Sequence, residues 1–527
     1  MRFRSALAAM ALLPSLTLAG KTLSVCTDAN PDGFDVVQYN SLVTTNASAD
    51  VLMNRLVEYD ARTHHLVPSL ASSWNASSDG LSYTFHLRAG VTFHHTAYFA
   101  PTRAFNADDV VFTFERMLDP GTAWYKTSPG GYPHAQSLQL PKLIKAVVKV
   151  DEHTVRFDLN YPDATFVPKL SMGFASIYSA EYAGKLMAAG HPGDLNAYPI
   201  GTGPFVFKSF HKDSDIRYSA NPAYFGHAPK VSQLIYVITP DPQVRVQKLK
   251  AGECQIALAP TPQDVQATAG NAAVKVLKAA AFQTAFVAFN SQKKPYDNVK
   301  VRQAFNLAFD RSAYIRAVFD GAAMPATLPY PPSTWSYDTS IKPYPHDVAK
   351  ARALLTQAGY PKGFDTTIWV RANGSSSNPN PGIGAELLQS DLAKIGVRAS
   401  IKVVEWGELI KRGKAGEHDL LFMAWSGDNG DPDNFLTPQF SCAAVKSGTN
   451  FARYCDPKLD QLIASGLRTS DTAARTRLYT QALRLIHQQA LWLPLAHPTI
   501  FALTRTNVSG YAINPFGRQD YSTVDVR

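Results

Sequence analysis

Apolar residues recur along this chain with two periods, and the switches between the periods mark out its elements. Thr22 to Cys26 reads as a short strand, followed by turn chemistry at Pro31-Asp32-Gly33. Beyond the polar stretch Tyr39-Asn40-Ser41, a helix is predicted to carry Val51, Leu52, Leu56 and Val57. From Thr63 to Lys149 the pattern turns to hairpins: Tyr83, Phe85 and Leu87 alternate with polar residues behind the turn signal Asp79-Gly80. Gln233 to Thr239 is a near-continuous apolar run, which suits a strand covered on both faces.

A second large unit is predicted from about Ala285. Val301, Ala304, Phe305 and Ala308 keep the i, i+3, i+4, i+7 spacing of one helix face, and Asp310 is placed to cap a following helix that carries Ile315 and Val318. Near 385–395 a helix with Leu388, Leu392 and Ile395 on one side stops at Gly396, after which Val397, Ala399, Ile401 and Val403 alternate as a strand. Ala473 to Gln488 forms another amphipathic helix, ending before Leu493-Pro494-Leu495. Strands separated by helices predict a mixed α/β unit. With no internal repeat and no long low-complexity linker, two lobes joined at a hinge are expected.

Length agrees, since 527 residues at 45% hydrophobic and 18% charged exceed what one core normally serves. Residues 1–20 read as a secretory signal peptide: Arg2 and Arg4 precede an apolar run from Ala6 to Leu13, and small residues follow at Ala19-Gly20. That run falls short of the ~20 residues that span a bilayer, and no cysteine stands at the expected new N-terminus to carry a lipid. A free protein of a Gram-negative periplasm is predicted. In an exported chain four cysteines are expected to pair. Of three connectivities, Cys442 with Cys455 is favoured because they flank the turn-like stretch 445–450, leaving Cys26 to close with Cys254.

The net charge of +9 is scattered, with basic residues at most in pairs, which argues against a nucleic-acid partner. No GxSxG, HExxH, P-loop or CxxC pattern occurs, and Gly201-Thr202-Gly203 lacks the third glycine of a dinucleotide loop. The pairs His64-His65 and His94-His95 point to opposite faces of a strand and are expected to be solvent-exposed polar residues. Neither catalysis nor a metal or other cofactor is expected.

Several stretches resemble the extracellular solute-binding proteins of the peptide and nickel class (family 5), most closely their dipeptide-binding members. These are Ala71-Ser72-Ser73-Trp74 through Asp79 to Arg88, Asn106 to Phe114, Pro199 to Phe205, Val301-Arg302-Gln303-Ala304, and Trp425 to Phe435. The likeness runs nearly end to end and implies a two-lobed periplasmic binding protein of type II (Venus-flytrap) with an extra β-rich domain. Domain I would comprise 21–57, 196–283 and 498–527, domain II the insert 58–195, and domain III, the second lobe, 284–497. The resemblance further implies a monomer that captures short peptides and docks on an inner-membrane ABC permease with its ATPase.

A peptide offers an ammonium, an extended backbone and a carboxylate, so its receptor needs an anion, a strand-like edge and often a cation. By resemblance Asp428 is the anion, with Trp425, Ser426 and Gly427 beside it, and Asn40 and Ser41 are first-lobe contacts. Asp431 and Asp433 are read as turn formers. Where the dipeptide-binding members carry a carboxylate-holding arginine, this chain has Ser375, followed by Ser376, which cannot supply a charge-assisted bidentate pair. Longer or modified peptides, or a non-peptide ligand such as haem, are compatible with that change. Arg371, four residues before Ser375, could substitute, although a surface or structural role is the expected one for it.

Overall fold

A computed structural model describes residues 20–39, 41–60, 65–128, 130–372, 374–375 and 377–527. The signal-peptide reading of residues 1–20 therefore lies, but for Gly20, outside the described residues, as do Asn40, His64 and Ser376.

The apolar strand near 235 sits well inside a 12-stranded sheet. Gln233–Ile238 pairs in parallel with Thr22–Thr27 and antiparallel with Asp215–Ala220. Its two faces differ from the expectation: Leu234, Tyr236 and Ile238 are buried, while Ile235 and Val237 are only half covered. At the other end of the same sheet Asp365–Arg371 runs parallel to both Arg398–Val404 and Leu420–Ser426. There the period of two sends alternate side chains to opposite faces. Val287, Ile368 and Phe422 enter one core with the helices Val299–Ala308 and Pro381–Ala393. Phe286, Trp369 and Leu421 enter another with the helix Thr472–Gln488. A further core gathers Leu23, Leu52, Phe85, Phe157 and Leu234 with Val508 and Val524 from the C-terminal end.

One strand belongs to both halves. Trp492–Arg505 pairs first with Gln283–Phe289 and then with Ile256–Leu258 and Val274–Ala280, so the chain crosses between the halves near 497–499 and again at 280–283. The crossings are tied together, with Ala281 donating its N–H to Pro498 O at 2.9 Å. His497 lies buried between them, and burial pushes its pKa down to about 4. Two crossings side by side at the back of a cleft make a hinge axis.

Local chemistry explains most termini. Asp310 caps Arg311–Phe319 by accepting from Ala313 N, and Gly396, at φ +85°, ends the turn before Arg398–Val404 as only glycine does without strain. In the segment after Asp60, Asp79 accepts from Leu81 N and Ser82–Leu87 joins a four-stranded sheet with Ala71–Ala76, Ile144–Asp151 and Thr154–Leu159. That region is less β-rich than its pattern suggests, because the helices Ala107–Leu118 and Ala180–Ala188 pack against it. The helix expected through Val57 is shorter. It breaks into Leu42–Ala47 and Ala49–Leu52, and Val57 opens the strand Val57–Asp60. Val403 is 60% exposed, because its strand is the sheet's edge. His94 is buried, not solvent-exposed, with its Nε2 at 3.0 Å from Gly203 O. Gly201 and Gly203 are packed on Leu52, where a Cβ would lie 1.9 Å and 2.7 Å from its carbonyl oxygen, so this glycine pair is a close-packing site.

Both expected disulfides are present, Cys26 with Cys254 and Cys442 with Cys455. The second spans 13 residues, and replacing both of its cysteines with serine is expected to cost about 3 kcal/mol, read as a lower urea midpoint.

Candidate functional site

The strand Leu420–Ser426 runs into a loop whose course is set by three contacts. Gly427 donates its N–H to Phe282 O at 2.8 Å, and a Cβ there would lie 2.3 Å from the Phe282 ring, so only glycine allows the approach. Asn434 clamps the loop from within: its side-chain oxygen accepts from Asp428 N at 2.9 Å and its carbonyl from Trp425 Nε1 at 2.7 Å. Trp425 is thus half-buried with its polar group occupied, and Ser426 is exposed at the strand's end.

This clamp leaves the Asp428 side chain pointing away. It lines a cavity of about 70 Å³ whose other walls come from the opposite side of the cleft, with Leu42, Thr45, Met172 and Gly173 on one side, His134 beside them, and Phe516 and Arg518 from the C-terminal end. Asp428 is reached by solvent there, yet protein surrounds it closely enough that lost hydration pushes its carboxyl up to about 6. Among the described residues no cation stands within ion-pair distance of it. Arg518, by contrast, is committed: Nε and Nη2 donate to Asp50 at 2.9 and 2.6 Å and Nη1 to Ser171 O at 3.0 Å. Arg55 and Glu58 complete this cluster at 2.6 Å. His134 stacks on Phe174, and burial pushes its pKa down to about 4.

Next to the cavity the two halves meet. Ala164 N donates to Leu467 O at 2.7 Å, and Asn429 Nδ2 lies 3.7 Å from Met172 Sδ. Asp431 and Asp433 are more than turn formers. Asp431 makes a two-pronged ion pair with Arg475 at 2.8 Å in each arm, deep in this seam. Asp433 is raised to about 7, first by burial and then by the charge of Asp431. Lys169 pairs with Asp163 close by.

The remaining candidates are distributed unevenly. Ser41 caps the helix Leu42–Ala47, whose Leu42 and Thr45 reach the cavity. Ser375 closes a tight turn, bridging to Asn378 and lying 3.2 Å from Ser377 Oγ, and it is not among the cavity walls. Arg371 stacks on Trp406 with its guanidinium 4.6 Å from the ring centroid. Sequence reasoning missed Leu42, Thr45, His134, Met172, Phe516 and Arg518, which come from four separate stretches without a shared motif.

A strand edge also opens here. Pairing of Asp365–Arg371 with Leu420–Ser426 stops at Trp369 opposite Leu421, so the edge of Met423 to Ser426 on that side has no ladder partner among the described residues.

A two-lobed α/β fold with paired crossings behind a cleft, and an unpaired carboxylate with an open strand edge inside it, defines a solute-binding protein. The chain belongs to the family described as bacterial extracellular solute-binding proteins, family 5 (Middle), whose pattern matches residues 65–447. It is 63% identical over 516 residues to the probable di/tripeptide-binding protein 5 of Pseudomonas aeruginosa (strain UCBPP-PA14), covering 98% of each chain. It is 44% identical over 508 residues to heme-binding protein A of Haemophilus influenzae, covering 96% of this chain and 93% of the relative. The crystal structure of the dipeptide-binding protein from Pseudoalteromonas sp. SM9913 in complex with Met-Leu superposes with a TM-score of 0.84 at 36% identity, over 96% of this chain and all of the other. Among the described residues no helix is long and apolar enough to cross a membrane.

Proposed function

We propose that this chain is the periplasmic substrate-binding component of an ABC uptake system, which captures di- and tripeptides or short oligopeptides between its lobes and delivers them to an inner-membrane permease and its ATPase. It performs no chemistry on them. The observation that carries this reading is Asp428, a solvent-reached carboxylate closely surrounded by protein and without an ion-pair partner among the described residues, facing the interlobe cavity. A peptide ammonium supplies the missing charge, and enclosure strengthens the pair. The free edge of Met423 to Ser426 offers main-chain hydrogen bonds to an extended backbone, as in strand addition, and this tolerates varied side chains. Trp425, Ser426 and Gly427 contribute through that backbone, with Ser41 across the cleft, and Asn40, Ser375 and Ser376 are further ligand contacts in this reading.

Contacts to both lobes exist only when the cleft is closed, so ligand shifts the chain toward closure about the crossings near 281 and 498. The di/tripeptide-binding and dipeptide-binding relatives support peptides, and the division into domains I (21–57, 196–283, 498–527), II (58–195) and III (284–497) is part of the same reading, as are export by cleavage after residue 20 and a monomeric state. A cavity of about 70 Å³ favours the end of a short peptide over a porphyrin.

The test is calorimetry of the mature protein with Ala-Ala, tri-alanine and haem, together with native mass spectrometry of ligands carried through purification. Micromolar or tighter binding of the peptides, and a ladder of short peptide masses, are expected. Haem binding with a Soret band and no peptide binding would replace this reading.

A further inference from the structure

The chamber that Asp428 faces also has a charge pattern of its own. Its walls are apolar at Leu42, Met172 and Phe516, and its one cation among the described residues is Arg518. The anions near Arg518 are already spent: Asp50 accepts two of its N–H groups, and Glu58 is held by Arg55 at 2.6 Å. Asp50 and Glu58 match Arg55 and Arg518, and the further anion near Arg518, Asp520, is exposed to solvent and is not among the chamber's walls. His134 stacks on Phe174 and is neutral near pH 7 because burial opposes its protonation. The one remaining anion of the chamber is Asp428, and in the peptide reading, on which this argument rests, the ligand ammonium uses it up.

We infer that this chamber receives the side chain of the peptide's first residue and selects against a cationic one, Arg518 and the apolar walls being the determinants. A lysine or arginine side chain would bring a second positive charge into a space with no anion left to meet it and with a guanidinium in the wall. Taking a charge out of water without a partner is strongly unfavourable, whereas an aliphatic side chain of the same length loses nothing by entering. The volume, about 70 Å³, is roughly half that of a cavity that admits benzene, so an indole does not fit.

Calorimetry of the mature protein with norleucyl-alanine and lysyl-alanine, which share a four-carbon stem and differ by the terminal ammonium, isolates the effect. Lysyl-alanine is expected to bind at least tenfold more weakly, and tryptophyl-alanine also more weakly than norleucyl-alanine. Equal affinities for the norleucyl and lysyl peptides overturn the inference and leave the peptide reading standing. Failure of every peptide overturns the peptide reading itself. A converse variant is Leu42→Glu, at the first position of its helix, where a carboxylate suits the helix end. It places an anion in the chamber wall, and the preference for the norleucyl peptide is expected to shrink toward parity or reverse. A preference unchanged by that variant counts against the inference as well.

Discussion

Replacing Asp428 with Asn is expected to weaken di- and tripeptide binding by about 2–5 kcal/mol, the range for removing one partner of an enclosed charge pair. The substitution keeps size and removes only charge. Because the main-chain N–H of Asp428 makes the clamp to Asn434, the loop should hold its course, and calorimetry then reads the pair itself. The same group predicts a pH profile. Its carboxyl titrates near 6 in the unliganded protein, and pairing with an ammonium holds it ionised in the complex, so the bound state has the lower pKa. Affinity is therefore full above about pH 6 and falls as pH drops through that value, by about tenfold per unit until the bound-state pKa is reached. His134, down at about 4, does not titrate in this window. In the Asn variant the slope should vanish. Affinity that is unchanged by the substitution removes Asp428 from the site.

The seam between the lobes supports a second large effect. Arg475→Met leaves the buried Asp431 without its partner, which is expected to cost about 3–5 kcal/mol of stability at pH 8, measured by urea unfolding. Asp433 beside it gives the pH dependence. Its folded pKa, about 7, lies above the unfolded value of roughly 3.9, so the folded state binds the extra proton. The stability linked to that proton is fully present below about pH 4 and is lost as pH rises through about 7. Removing the arginine leaves the Asp431 charge uncompensated beside Asp433, which is ionised at pH 8 and protonated at pH 5, so the damage should be greatest at pH 8 and smaller at pH 5. Adding Asp431→Leu to Arg475→Met should recover part of the loss, since an apolar pair can replace a buried ionic one. A loss below 1 kcal/mol at pH 8 would mean that water reaches the seam and screens the pair.

Much of the second half of the molecule was legible from pattern alone. Asp310 as a helix cap, Gly396 as a stop, and the buried face Val301, Ala304, Phe305, Ala308 all express forces acting within one or two turns of chain. Where the reading slipped, a distant neighbour decided the outcome. The apolar run through Val57 looks helical, but Val57 to Asp60 finds ladder partners at His65 to Pro68. His94 looks like a surface residue until Gly203, 109 residues on, is seen to hold its ring. Asp431 looks like a turn former until Arg475 reaches it.

By itself the sequence determined the class of fold, the cysteine pairing and the loop that carries Asp428, because strand alternation, helix caps and glycine stops are short-range and a long run of matching stretches points to one family. Only the tertiary structure decided what faces Asp428. The walls at Leu42, His134 and Met172 lie more than 250 residues from it and Arg518 lies 90 away, and no local propensity couples them. Folding brings them together because the two crossings at 280–283 and 497–499 set one lobe over the other, and desolvation in the space between then changes what an ordinary aspartate can do.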